Sequence, residues 1–522
     1  MKFIEGSDRT QTHLFPVSLD QSIDPDNEVR LIDLFVDSLD LGNYGFKTEF
    51  IENGRPAYHP SDLLKLYIYG YMNKIRSSRV LEKECGRNIE AMWLLKWLVP
   101  DHNTISNFRR DNPGVIKKIF RQTVKIAKHF ELIGGKLVAG DSTKMRAQNS
   151  KKNNFNPKKI ARHIAYIETK LEQYNSELSD SDGDTKKQLN QEIQKYKQRK
   201  NQYDQLTQQL GQSGETQVST SDPESRQMIT RNNITEVAYN VQTTVDSKHC
   251  LPIDYKVTNT NDSKAMGNML SRSKTILRST EFTGLYDKGY HTGSEFKIAD
   301  NLGIDVLVAI PGVAAQAPDP RYNVANFTYF KKGDYYVCPQ GNRLTTPGTW
   351  HKAKTYKFKR YTTKDCMQCP VKALCSKAKY GKGIQRSEYT QVIEQNKTRI
   401  ENNKNYYRRR QAIVEHPYGT IKRQWGFDYI ITKKYKQRAE ADVGFMFIAY
   451  NLRRIINILG IATFKKYLEV LVFFFSSIIN QLQVNLSLYK ALTISGKYNW
   501  LFMVAPANRL KFTRKTKIIG GF

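Results

Sequence analysis

Three carboxylates stand where regular structure would present them. Asp141 follows Gly140 in KLVAGDSTKMRA, Asp287 lies in FTGLYDKGY, and Glu415 lies in the basic stretch YYRRRQAIVEHPYGTIKR. Gathered by a fold, such acids form a site for two hard cations. Mg²⁺ takes a few carboxylates, keeps some waters and accepts substrate phosphate oxygens. Two ions about 3.5–4 Å apart activate the attacking oxygen and stabilise the leaving one. The chemistry would be phosphoryl transfer on nucleic acid. Arg408 lies seven residues before Glu415 and Lys422 seven after it, two helical turns each way. Tyr407, Arg409 and Arg410 are close by. A carboxylate ringed by cations suits a site that must also hold phosphate. Each acid alone has a plainer reading: a cap or turn residue for the aspartates, a salt-bridged surface helix for Glu415. Pro417 and Gly419 predict that Glu415 sits at a bend.

The elements that must position these residues are legible in outline. Residues 1–130 read as helices. DPDNEVRLIDLFVDSL has helical spacing at Leu31, Leu34, Phe35 and Leu39, and Ser61 is a plausible N-cap. Arg109 and Arg110, on one of these short helices, leave two readings open: a helix-turn-helix-like DNA binder, or an ordinary bundle with a solvated basic face. From 131 the pattern turns to α/β. KLVAGD reads as a strand ending at Asp141. VAYNVQTTVD, LPIDYKVTNT, FTGLYD and IDVLVAIPG are further strands, with a short helix in HTGSEFKIADNLG. Asp141 and Asp287 thus fall at strand C-termini, where sites on open α/β sheets form. Asp246, Asp254 and Asp262 read as turn residues.

Two insertions interrupt this core. In 150–232, Ile160, Ile164, Ile167, Leu171, Tyr174 and Leu178 alternate steps of four and three, a heptad seam that predicts a helical hairpin. GQSGETQVSTSDPES follows as a polar linker. The second insertion, 313–388, leans to β-structure. From His351 to Thr390 it carries 11 Lys and Arg against 2 acids. It holds Cys338, Cys366, Cys369 and Cys375, with CPQG and CMQCP placing cysteines in turns. Four thiolates would make a closed structural Zn²⁺ site; the other reading is reduced free thiols in a loop. One long helix is expected over 391–416, then an amphipathic one in AEADVGFMFIAYNLRRIINILG. The region 461–522 reads as helical with a basic tail.

Composition sets the partner. The 522 residues carry 82 Lys and Arg against 50 Asp and Glu, a formal charge of +32. A chain this basic meets a polyanion, with nucleic acid first. The most apolar run, Val470–Ile479, is about half the ~20 residues a membrane span needs. No membrane partner is expected. Six cysteines at this length do not suggest a secreted disulfide scaffold. A cytoplasmic, nucleoid-associated protein is expected.

The chain resembles bacterial insertion-sequence transposases of the DDE type, which have an RNase H-like catalytic fold. PDHNTISNFRRDN resembles the helical N-terminal domain of one large branch. GDSTKMRA resembles the first-Asp motif and YDKGY the second. Tyr407-x2-Arg410-x4-Glu415-x6-Lys422 resembles the Tyr-Arg-Glu-Lys motif, with four residues where the usual motif has three between Arg and Glu. FMFIAYNLRRI resembles the helix that follows. The resemblance implies that Asp141, Asp287 and Glu415 bind two Mg²⁺ or Mn²⁺ ions. It implies that Lys422 contacts DNA phosphate and that Tyr407 and Arg410 position the strand. It implies a 131–460 catalytic domain, double-stranded DNA partners (the element's terminal inverted repeats and a target) and a homodimer on DNA. The implied activity is cleavage at element ends followed by 3′-OH strand transfer. The alternatives are an RNase H-like nuclease without strand transfer and an inactive DNA-binding relative.

Overall fold

Among the described residues, seven α-helices precede the first strand: α1 Glu28–Asp37, α2 Leu41–Tyr44, α3 Pro60–Met72, α4 Ser78–Cys85, α5 Ile89–Leu94, α6 His102–Asp111 and α7 Pro113–His129. The computed structural model describes residues 18–48, 57–230, 233–312 and 317–474. Local sequence explains the helix starts. Asn27 and Asp101 accept hydrogen bonds from the first free N–H groups of α1 and α6. Proline occupies the first position of α3 and α7. The α3 cap is His59 rather than Ser61: the imidazole accepts from the Ser61 N–H at 3.2 Å. In α7, Ile116, Ile119, Phe120, Thr123, Val124 and Ala127 form one buried stripe.

The chain then enters a six-stranded mixed sheet. Its strands are β1 Leu137–Arg146, β4 Arg226–Ile229, β5 Thr235–Asp246, β6 Pro252–Thr258, β7 Thr283–Tyr286 and β8 Asp305–Val308. β5 runs antiparallel to β1 along one edge. Its other edge pairs with β4 and then with β6, both antiparallel. On the far side of β1, β7 and β8 are parallel to it. Helices α10 Met266–Leu277 and α11 Gly293–Leu302 connect β6, β7 and β8. β1 does not end at Asp141. Its ladder with β5 continues to Arg146, so Asp141 lies mid-strand.

The first insertion is a helical hairpin, α8 Pro157–Ser179 and α9 Gly183–Ser213, footed on the small pair β2 Asn154–Phe155 and β3 Val218–Ser219. The expected polar linker after it is packed structure. Ser219, Asp222 and Ser225 are buried, and Asp222 accepts from the Tyr239 hydroxyl at 2.7 Å. The second insertion has two three-stranded sheets: β9 Thr328–Phe330, β10 Tyr335–Val337 and β11 Arg343–Leu344 in one, β12 His351–Lys352, β13 Lys357–Tyr361 and β14 Ile384–Ser387 in the other. The short helix α12 Lys372–Cys375 precedes β14.

The expected single helix over 391–416 is two, α13 Thr390–Asn402 and α14 Lys404–Tyr418, broken at Asn403. Pro417 does not end α14. The chain continues directly into a π-helical turn, Gly419–Gln424. Glu415 therefore lies within a helix, two residues before its internal proline.

Helix α15 Lys436–Leu459 is buried on every side from Ala441 to Leu452 rather than amphipathic. It packs against α3 and α7 on one side and β6 on the other. Gly444 marks the closest approach: a Cβ there would lie 2.6 Å from the Tyr255 hydroxyl and 2.8 Å from Ile116 Cγ2. One hydrophobic core consequently runs from Ile23 through the sheet to Leu468. The expected basic tail lies outside the described residues. Among the described residues, no helix is long and apolar enough to cross a membrane.

That shared core overturns one expected DNA contact. Arg109 is 5% exposed. Its guanidinium donates to the Tyr71 hydroxyl at 2.9 Å and the Arg76 carbonyl at 3.2 Å, and it lies over the Tyr67 ring. It stands 3.8 Å from Asp442 of α15, which is fully buried and also pairs with Arg76 at 3.3 Å. The cation is held inside because its loss would leave a buried carboxylate short of charge. Arg110, beside it, is on the surface and pairs with Asp111 at 2.6 Å.

Candidate functional site

Strand register brings the two aspartates together. In the parallel pair β1–β7, Leu137 stands opposite Thr283 and Ala139 opposite Leu285. Two residues further along each chain are Asp141 and Asp287. Side chains alternate along a strand, so both acids share the face of Ala139 and Leu285. α14 covers that face, with Ile413 and Val414 packed on Leu137, Ala139, Val245, Leu285 and Leu307.

Two glycines permit this approach. The Tyr286 ring lies against Gly140, where a Cβ would be 2.0 Å from Tyr286 Cε1. Gly289 sits against the second acid, where a Cβ would be 3.0 Å from Asp287 Oδ1 and 3.7 Å from Asp262 Oδ2. Asp287 caps the short turn Lys288–Tyr290 by accepting from the Gly289 N–H at 2.8 Å.

The Asp141 carboxylate accepts from the Ser142 N–H at 2.7 Å and from Arg410 at 3.2 Å. Burial pushes its carboxyl above the ordinary range. The Arg410 cation opposes that rise, and the charge of Asp287 adds to it. The other α14 residues fall into place around this ion pair. Tyr407 donates its hydroxyl to the Tyr286 carbonyl at 3.0 Å, directly before Asp287. Tyr418 donates to Thr243 Oγ1 at 2.7 Å. In the π turn, Lys422 reaches Thr143 Oγ1 at 2.9 Å and the Lys144 carbonyl at 3.2 Å. Arg408 is on the surface.

Glu415 is the exception. It rides on the same helix, but its carboxylate is exposed and accepts from Gln411 at 2.9 Å. Among the described residues, no group of three His, Cys, Asp or Glu side chains stands around one metal position. The structure therefore brings Asp141, Asp287, Tyr407 and Arg410 together and leaves Glu415 on their flank.

A fourth acid, read from sequence as a turn residue, lies beside the pair. Asp262 meets Lys144 at 3.1 Å and the Asn240 and Gln242 side-chain amides at 2.7 Å each. Burial disfavours its charge, yet Lys144, Asn240, Ser142 and Gln242 together hold its carboxyl below the ordinary range. Gln242 in turn accepts from the Tyr290 hydroxyl. No spacing in the sequence links residue 262 to residue 144; only the β5–β6 hairpin does. Of the two histidines near the acids, His291 is half-buried and His416 is exposed; desolvation lowers the pKa of both, and His416 bonds the Tyr450 hydroxyl at 2.7 Å.

In the second insertion, Cys338, Cys366, Cys369 and Cys375 are half-buried free thiols that line one pocket.

The fold and site define a mixed α/β protein with paired acids under a cation-bearing helix. Comparison with known families agrees with that class. Residues 17–111 match a family described as Transposase domain (DUF772), and residues 337–456 match the Transposase DDE domain family. The second match contains Glu415 and Lys422 but neither aspartate. Two separate segments of the chain are thus similar to transposase families, as the resemblance to DDE-type insertion-sequence transposases implies. No curated protein matches it. Among solved structures, a piggyBac transposase synaptic complex with hairpin DNA matches at 9% identity over 85% of this chain and 77% of that one. Its TM-score of 0.28 is too low to carry an argument.

Proposed function

We propose that the protein cuts DNA at the ends of its own element and joins the freed 3′-OH to target DNA. Asp141, Asp287 and Glu415 would hold two Mg²⁺ or Mn²⁺ ions. The observation that carries this reading is the register that sets Asp141 beside Asp287 beneath α14. Carboxylate oxygens suit hard cations, and Asp141 already carries one cationic partner, Arg410. Bound ions would supply activation of the attacking oxygen and stabilisation of the leaving one. The protein's own groups supply the rest. Arg410 balances the Asp141 charge and is suited to a phosphate once a metal takes its place. Lys422 and the surface cations Arg408 and Arg110 would bind DNA backbone, and Tyr407 would hold the Asp287 loop in register. The sheet is read as an RNase H-like core. That reading is supported by an antiparallel run β6–β5–β1 joined to a parallel run β1–β7–β8. Joining requires both element ends at once, so a dimer on DNA is expected.

The test uses the full chain with terminal-repeat DNA, Mg²⁺ and a target plasmid. Joined products support the transposase reading. Cleavage without joining would replace it with a nuclease, and binding without cleavage with an inactive relative. Asp141→Asn should abolish cleavage while DNA still binds; a variant that still cuts would remove Asp141 from the site.

A further inference from the structure

The second insertion has too little core to explain its own order. Its two sheets are built from strands of two to five residues. Among the described residues, Phe327, Tyr336, Leu344, Tyr361 and Ile384 form its buried cluster, and Tyr329, Cys338 and Cys375 pack against that cluster. Small modules of this kind need a staple: a disulfide, a metal or a partner. The four cysteines are free.

The thiols come from three separate stretches of chain and converge. Cys338 starts the turn closed by the Gly341 N–H to the Cys338 carbonyl, with Gly341 at φ 80°. Cys366 and Cys369 flank the end of the Lys364–Met367 turn, and Cys375 ends α12. Gly381, at φ 84°, brings its backbone against Cys366, where a Cβ would be 2.2 Å from the Cys366 Cβ. All four thiols line one pocket, together with Lys372 and Lys382. Burial raises the Cys375 thiol pKa, Lys382 opposes that rise, and the other three cysteines add to it.

We propose that Cys338, Cys366, Cys369 and Cys375 form a structural Zn²⁺ site that staples this insertion. Four thiolates are the closed tetrahedral donor set that Zn²⁺ takes in structural sites. A Zn²⁺ with four thiolates carries net charge −2, and Lys372 and Lys382 flank it with two positive charges. As the side chains stand, no three of them surround a common centre; metal binding draws the thiolates in, and metal affinity becomes folding energy for the insertion. The site is separate from the acidic pair and independent of its chemistry.

The experiment is metal analysis of the full chain purified under reducing conditions, followed by Co²⁺ titration of metal-stripped protein. One Zn²⁺ per chain and an intense thiolate-to-Co²⁺ absorption band are expected. Cys369→Ser should lose both, while Cys250→Ser, outside the cluster, should keep both. If Cys369→Ser fails to fold, the Co²⁺ titration of the wild-type chain decides alone. Absence of the band, disulfides among the four cysteines by non-reducing mass spectrometry, or full metal content in Cys369→Ser would each overturn the assignment.

Discussion

Gly140→Ala tests the geometry that joins the two aspartates. The new Cβ would lie 2.0 Å from Tyr286 Cε1, 2.5 Å from Cζ and 2.7 Å from Cδ1. Carbon atoms rest at about 3.5–4.0 Å, so the strand and the ring must part by roughly 1.5 Å. The ring has nowhere to go. Tyr286 is 1% exposed, lies 4.9 Å from the Tyr290 ring, and is met from the other side at Gly284, where a Cβ would be 3.1 Å from Tyr286 Cε2. The strain therefore falls on the backbones of β1 and β7, immediately before Asp141 and Asp287. Overpacking of this kind costs about 1–3 kcal/mol. A misplacement of about 1 Å at a reacting centre can lower the rate by roughly 100-fold. Urea unfolding should show a lower midpoint with an unchanged slope, and nicking of labelled terminal DNA should fall far more than DNA affinity does. Replacing Tyr286 by Leu in the same chain should recover part of both losses, since the two residues are in contact and their effects are not additive. A Gly140→Ala protein with wild-type midpoint and nicking within threefold of wild type would refute the packing argument.

Two other perturbations probe regions outside the acidic pair. Arg109→Leu should destabilise the fold by about 3–5 kcal/mol, because it strips a partner from the buried Asp442 network. The salt dependence of DNA binding should stay unchanged in protein kept folded; a slope shallower by about one would make Arg109 a phosphate contact after all. Asp334 accepts from Lys359 at 2.7 Å, Tyr361 at 2.6 Å and Tyr329 at 2.8 Å, which hold its carboxyl down at about 2. Its folded pKa lies below the unfolded value near 3.9. Its contribution to the second insertion is therefore complete above about pH 4 and is lost as the pH falls towards 2. Tyrosine absorption should report that loss in the wild type, and Asp334→Asn should remove the pH dependence; an identical titration in the variant would show that another group is responsible.

The sequence alone carried most of the elements and put forward the three acids. Apolar periodicity located the N-terminal helices and the heptad seam of α8, because helix spacing is written locally. VAYNVQTTVD and LPIDYKVTNT likewise read as strands, and they are β5 and β6. The glycine before Asp141 and the one two residues after Asp287 were visible, and so was the cation-rich segment around Glu415. What no local pattern contained was the pairing. Asp141 and Asp287 are neighbours because β1 and β7 align in parallel over residues 137–139 and 283–285, a long-range fact of register. Tertiary packing also decided residues that sequence misplaced. Arg109 reads as a surface cation until α15 supplies Asp442, and Asp262 reads as a turn residue until the β5–β6 hairpin carries it to Lys144. The burial of α15 follows from neighbours on both sides, so its own composition could not reveal which faces are covered. Residue types fixed which chemistry was available to this chain; the sheet register and the shared core fixed which of those residues meet.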